Sequence, residues 1–312
     1  MLIASSLGDP EQRLARIERA LASLFADLKV GSIRELETGF GSVVVQTSDD
    51  VVFRVARNAR AASGHAKEAK LLPVLARRLP VRVPQPQWRA EPGSPGLPFG
   101  AIGYRRLAGE PLTPSWLARH DADKVAAEIA GCLIALHRFP VERAEELGVP
   151  RADVNGGSFE ALRRHVMPVI RELLTPQEYD AVSRWSDGFL ADPTLQHFDA
   201  VLCHGDFWFG NLLVDDESES VVAVLDWASA AIGDPAEDLV RQLHLGEAFA
   251  SQVLRAYESR GGAVDPSLIH RMRRRWELVE FAGIRTVMEL DDPEELKETI
   301  GKLRAGPILR NR

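Results

Sequence analysis

Three short strand-like runs interrupt a second half of the chain that is otherwise written in helical periodicity: "AVLCHGD", "NLLVD" and "VVAVLDW", between residues 200 and 226. They enclose the stretch "HGDFWFGN" and end on polar residues, with Asp206 and Asn211 five positions apart and Asp226 closing the third run. Apolar runs of this length bounded by polar groups read as strands. Few and short as they are, they serve to hold loop ends in place, and this limits the chain to a mixed α and β architecture.

The first half supplies a separate β-rich unit. Asp9 and Gln12, with Pro10 between them, start a helix carrying Leu14, Ile17, Leu21, Leu24 and Leu28 at helical spacing. Period two then takes over: "ELETGFGSVVVQTSDDVVFRVAR", residues 35 to 57, predicts two β-branched strands around a Ser48-Asp49-Asp50 turn, preceded by the loop Gly39-Phe40-Gly41-Ser42. A helix over 63 to 79 and strands at about 82 to 90 and 99 to 107, around "EPGSPGLP", complete the unit. Beyond "AGEPL" the pattern is helical. Thr113-Pro114, Thr175-Pro176-Gln177-Glu178 and Asp292-Pro293-Glu294-Glu295 are helix starts, and a further helix begins at Pro235. The expected fold is α+β with two lobes: residues 1–107, small and β-rich, and residues 108–312, mostly helical.

Composition removes several classes of function. The 312 residues suffice for two core-bearing lobes at roughly 100 to 200 residues per domain. No apolar run approaches the ~20 residues of a membrane span, and the first residues lack the basic start and apolar block of a secretion signal. With only Cys132 and Cys203, both read as core, a reduced cytoplasmic setting is expected. A net charge of −7 argues against a nucleic-acid partner. A monomer or weak dimer that binds small molecules is expected.

Asp206, Asn211 and Asp226 are hard oxygen groups of the kind Mg²⁺ takes from proteins, usually one or two carboxylates beside phosphate oxygens. In phosphoryl transfer one Asp accepts the proton of the attacking hydroxyl, while an Asn and a second Asp hold metal. The spacing from Asp206 to Asn211 is that of the kinase catalytic loop.

The stretch "HGDFWFGNLLVD…VAVLDWASAAIGDPAEDL", residues 204 to 239, resembles the signature of the aminoglycoside phosphotransferase family, antibiotic kinases with a protein-kinase-like fold. The resemblance extends to the glycine loop, "VVFRVAR", the "KEAKLL" helix and "IGYRRLAGEPL" as the link between lobes, and the layout is most like the 2''-aminoglycoside kinases and their macrolide-kinase relatives. It implies Asp206 as catalytic base, Asn211 and Asp226 as Mg²⁺ ligands, His204 as an orienting residue, and Asp234 and Asp238 as structural caps of the helix at Pro235. Trp208 and Trp227 either line the acceptor site or pack the loop.

The nucleotide lobe departs from the kinase pattern. Kinases of this fold hold phosphates with a strand lysine paired to a helix glutamate, yet no lysine lies between Lys29 and Lys67. Arg54 in "VVFRVAR" stands at the matching position, Arg57 is a second candidate, and Glu68 is the expected partner. The chain has six lysines against 32 arginines, so background replacement explains part of this. Gly39, Gly41 and Ser42 would bring loop backbone to the phosphates. The purine edge would meet main chain from Tyr104 and Arg105 to Leu107, which leaves ATP and GTP both open as donor.

For the acceptor, Glu237, Trp276, Glu277 and Glu280 are candidates near the catalytic segment, with Trp276 and Glu280 sharing a helix face; for the two glutamates of that helix a solvated surface is the alternative. Some macrolide kinases carry His in place of Asn211, which tilts the expectation toward an aminoglycoside. Macrolides, and metabolites such as choline, homoserine or sugar derivatives, stay open. So does a non-catalytic nucleotide-binding module, whereas a protein kinase is disfavoured because "GDPAEDL" follows Asp226 with no activation loop between.

Overall fold

The computed structural model describes residues 10–38, 41–153, 156–290 and 293–310. Helix α1 (Pro10–Leu24) precedes β1 (Arg34–Thr38), β2 (Ser42–Gln46) and β3 (Val51–Ala56). Helix α2 (Ala59–Leu75), β4 (Trp88–Ala90) and β5 (Ala101–Arg105) follow. The strands form one antiparallel sheet in the order β1-β2-β3-β5-β4. Val43, Val45, Val51, Phe53 and Val55 alternate onto its covered face and pack with Ile17 and Leu21 of α1. Opposite Phe53 stands Gly103, where a Cβ would fall 2.4 Å from the ring, so only glycine leaves Phe53 room to stack on Phe25.

The period-two stretch yields three strands where two were expected. "RELET" has little apolar alternation to announce β1, which pairs with β2 through a shifted register between Glu35 and Glu37. The strand expected at 82 to 90 contracts to Trp88–Ala90 because Pro84 and Pro86 offer no N–H to a ladder. Helix α2 starts at Ala59, four residues early, where the Asn58 side chain accepts from Ala61 N.

The larger lobe continues with β6 (Glu110–Pro111), α3 (Pro114–Leu117), α4 (Ala122–His137), α5 (Val141–Glu146), α6 (Gly157–Leu173) and α7 (Pro176–Leu190). Next come β7 (Val201–Cys203), β8 (Leu212–Asp215), β9 (Ser220–Val224) and β10 (Ala231–Gly233), then α8 (Ala236–Val240) and α9 (Glu247–Ser259). Helices α10 (Leu268–Leu290), α11 (Pro293–Ala305) and α12 (Pro307–Arg310) end the described chain. The expected caps at Thr113 and Thr175 form, the latter a full capping box with Glu178. Asp9 and Asp292 lie outside the described residues.

The three strand-like runs become β7, β8 and β9. Strand β8 sits between β6 and β9, while β7 pairs with β10, a strand the sequence reading had missed. Arg82 links the lobes, donating its N–H to Val222 O and accepting from Val224 N. One buried cluster joins α4, the β7–β9 region and α8–α9. A second, formed by α6, α7, α11 and α12, meets the first along α10. The chain thus has the two-lobed α+β fold, and among the described residues no helix is long and apolar enough to cross a membrane.

Candidate active site

Strand β7 ends at Cys203, and the next residues are held from beneath by one carboxylate. Asp238 of α8, fully buried, accepts the N–H of His204 and of Gly205 at 2.8 Å each and faces His137 Nε2 at 3.2 Å. Burial opposes its charge, but His137 and His204 outweigh it and hold the carboxyl below its ordinary range. Asp238 therefore does not cap the helix at Pro235, as the sequence suggested; it anchors the loop. Asp234 does cap there, accepting from Ala236 N, and also receives Arg271 and Arg275.

The hydrogen bonds of His204 fix its tautomer. Its Nδ1 accepts from Asp206 N and its Nε2 donates to Leu225 O at 2.9 Å, so the ring is neutral, and burial holds its pKa down. Asn211, in a 3-10 turn leading into β8, donates Nδ2 to both Asp206 O and Asp206 Oδ2, at 2.8 and 3.1 Å. Leu225 N donates to Asn211 O. The backbone of Leu225 thus ties His204 and Asn211 together immediately before Asp226, so the three oxygen-bearing residues separated in sequence share one frame.

Asp226 adopts the left-handed region (φ 54°, ψ 73°) that short polar side chains tolerate, and its side chain is 48% exposed. Arg54 reaches it from β3. One guanidinium nitrogen lies 2.8 Å from Asp226 Oδ1, and the other donates to both oxygens of buried Glu68 at 2.9 and 2.7 Å. Burial opposes the charge on Arg54, but Glu68 and Asp226 outweigh it, so the guanidinium is held more firmly protonated than usual. The pair expected between Arg54 and Glu68 is present. Lys67, to which the sequence assigned nothing, donates Nζ to Ala228 O and Ala230 O at 2.7 Å each.

Gly39 lies outside the described residues. Gly41 accepts Arg57 N on its carbonyl, whereas the buried Ser42 hydroxyl turns inward to His65 Nε2 at 3.1 Å. Tyr104 is buried in β5. The Arg105 guanidinium turns aside onto Asp49 O and the Trp88 ring. The Leu107 N–H has no protein partner among the described residues.

On the far side of Asp206, Trp227 is wholly buried with its indole N–H on Val224 O, so it packs the loop and lines no acceptor space. Trp208 is half-buried and stands edge-on to exposed His244, which in turn meets Trp276 of α10 at 5.0 Å. Trp276 and Glu280 stay one turn apart on α10, but Trp276 meets His244 whereas Glu280 sits against Gly306 and within the field of Lys302 at the C-terminal helices. Glu237 is taken by Arg275 at 2.5 Å and Arg241 at 3.5 Å. Glu277 accepts from Trp185 and Arg274. Arg241 also stands 4.0 Å from Asp206 Oδ1. Sequence reasoning missed it, and its i,i+4 spacing from Glu237 was the one available signal. His137, Cys203 and Asp238 cluster within 4.8 Å, but burial holds the Cys203 thiol protonated and on Asp234 O at 3.3 Å, and Asp238 already has three donors, so the trio is not a ligand set.

Known proteins resemble this chain in sequence and fold. The viomycin phosphotransferase of Streptomyces vinaceus is 28% identical over 259 residues, 81% of this chain and 85% of its own. The GDP and kanamycin complex of APH(2″)-IIIa superposes with a TM-score of 0.83 at 25% identity, over 93% of this chain and 97% of that one. Macrolide 2′-phosphotransferase MphH from Brachybacterium faecium, as apoenzyme, gives 0.66 at 25% identity, over 94% and 98%. Residues 32–278 match the model of the phosphotransferase enzyme family, and with the Asp206, Asn211 and Asp226 frame on kinase-like lobes, the chain belongs to that family.

Proposed function

We propose that this enzyme transfers the γ-phosphoryl group of ATP or GTP to a hydroxyl of an antibiotic-type small molecule, an aminoglycoside in the first instance. The observation that carries the reading is the frame in which Leu225 backbone joins His204 and Asn211 beside Asp226, with Asp206 bound to Asn211. Asn211 uses its amide N–H groups on Asp206, which leaves its carbonyl oxygen, and Asp226 keeps a half-exposed carboxylate; two such hard donors fit Mg²⁺. Bound there, the ion would neutralise charge on the β- and γ-phosphate oxygens.

The chain's own residues do the rest. The acceptor oxygen attacks phosphorus in line as the bond to the β-phosphate oxygen breaks, Asp206 takes the hydroxyl proton, and the nucleoside diphosphate leaves. Asn211 holds Asp206 Oδ2, which leaves Oδ1, with Arg241 4.0 Å away, as the oxygen to receive that proton. Arg54 supplies charge for the phosphates, and the Leu107 N–H is suited to a purine edge. The likeness to a GDP and kanamycin complex supports both donor and acceptor class.

A second acceptor reading has its own support. Glu237, Glu277 and Asp234 are each already paired with arginine, which weakens their pull on a polycation, and Trp208, His244 and Trp276 offer an aromatic row. A less cationic acceptor with an apolar or planar face, of the macrolide or viomycin kind, would suit such a wall. The test is Mg²⁺-dependent ADP and GDP release against aminoglycosides, macrolides and viomycin, with Asp206→Asn as control. Stimulation by one class, lost in the control, supports the reading and names the acceptor. Stimulation that persists in the control counts against Asp206 as base.

A further inference from the structure

Lys67 is buried, and an ammonium taken out of water needs partners of its own. It does not turn to the neighbouring carboxylates. Two of its three N–H groups go to the carbonyls of Ala228 and Ala230, 161 and 163 residues away in sequence. These carbonyls belong to the turn that begins at Asp226, whose left-handed backbone opens a 3-10 segment over Trp227–Ser229. On its other side the same turn meets the catalytic loop: a Cβ on Gly205 would fall 2.4 Å from Ser229 O, so the two backbones are in direct contact. Segment 228–230 is therefore clamped between α2 and the residue preceding Asp206. Arg54 of β3, held by Glu68 of that same helix, grips Asp226 itself.

We propose that Lys67 is a positioning residue that fixes the Asp226 turn against helix α2. It sets the height of Asp226 in the cleft and, through Ser229 against Gly205, that of Asp206. Adjacent residues of one helix thereby act on one turn in different ways, Glu68 through the charge of Arg54 and Lys67 through main-chain carbonyls. A lysine suits the task because its ammonium is a compact donor group on a flexible stem that can serve two converging carbonyls, where a planar guanidinium imposes its own fork. The inference rests on the phosphotransfer reading only in taking Asp226 as a group that must be positioned for metal and nucleotide.

The test uses the full chain with Lys67→Met and Lys67→Gln, the second retaining an N–H donor, and with Lys67→Arg and Asp226→Ala alongside. Amide hydrogen exchange across 227–231 is measured without ligand, and ADP affinity is measured by calorimetry with Mg²⁺ and with chelator. In Lys67→Met, exchange at 227–231 is expected to rise while that of α4 stays unchanged. Mg-ADP affinity should fall about tenfold, the equivalent of roughly one hydrogen bond, with metal-free ADP much less affected. Lys67→Arg, which keeps the charge, should recover part of the loss, a rescue that a merely space-filling role would not produce. Should Lys67→Met fail to fold, Lys67→Gln carries the same readouts with smaller changes. Unaltered exchange at 227–231 in whichever of the two folds overturns the proposal. If Asp226→Ala leaves the Mg-specific part of ADP affinity intact, the phosphotransfer reading fails instead, and the exchange result still judges Lys67 by itself.

Discussion

Arg54 holds Glu68 with one terminal nitrogen and Asp226 with the other, at 2.7 and 2.8 Å, so a single side chain spans the cleft between the lobes. A lysine at this position would place one point charge where the guanidinium places two directed donors. Arg54→Lys is expected to keep the Glu68 pair and release Asp226. The Arg54–Asp226 bond is already made in the free protein, so its loss should lower stability, by less than the about 1.5–3 kcal/mol of a buried charge-assisted bond because Asp226 is half-exposed. The KM for the nucleotide should rise as Asp226 loses its fixed position. Arg54→Met leaves buried Glu68 without its cation and should cost about 3–5 kcal/mol of stability, read by chemical denaturation.

Asp206→Asn should lower turnover by roughly 10²–10⁴-fold, the usual contribution of a positioned general base. The side-chain partners of Asp206 among the described residues, Asn211 and Arg241, both belong to the helical lobe, so nucleotide affinity measured by calorimetry should be unchanged. A parallel loss of affinity would show that the residue does more than take a proton.

Asp238→Asn replaces an acceptor oxygen, already facing backbone N–H groups, by a donor. At least one buried N–H then loses its partner beside the catalytic loop, and a cost of about 3 kcal/mol follows from disrupting a buried charged network. Equilibrium unfolding should detect it, and protein that still folds should turn over more slowly because the peptide at His204–Gly205 is no longer tied down.

Acid should weaken the fold through His65. Burial, followed by the Arg54 charge, lowers its pKa from 6.5 to about 3, and its Nδ1 has no hydrogen-bond partner to stabilise a proton. Between these values the unfolded chain binds the proton that the folded chain refuses. Stability therefore rises with pH across this window and is lost as pH falls from 6.5 toward 3, by up to about 1.4 kcal/mol per pH unit. Thermal melts from pH 7 to 4 should show a shallower acid slope in His65→Gln than in the unaltered protein.

The residues legible in sequence were those whose chemistry is local or whose spacing is fixed by one loop. Asp206 and Asn211 stand five apart on a single turn, and the β2–β3 hairpin announces itself in alternating valines. Arg54 with Glu68 could be paired because strand and helix are neighbours in the chain. What stayed hidden depends on distant backbone. Asp238 reads as a helix cap until His204 and Gly205 are seen above it, and Lys67 reads as one more helix lysine until its carbonyl partners arrive from residues 228 and 230. Which of its two readings Trp227 would take stayed hidden for a related reason, since a residue type suited to binding says nothing of the direction in which a tertiary contact will point it.

Helix α10 belongs to both large clusters of the helical lobe. Met272 and Trp276 pack with the helices beneath the catalytic loop, whereas Phe281 and Ile284 pack with α6, α7, α11 and α12. The two groups of buried residues have no member in common. Substitutions that reshape the outer helices therefore meet the packing under Asp206 at one stretch of α10, where Arg274 and Glu277 hold Trp185 of α7 on either side of Trp276, and divergence on the far half of a long helix is read by the chemistry only through that stretch.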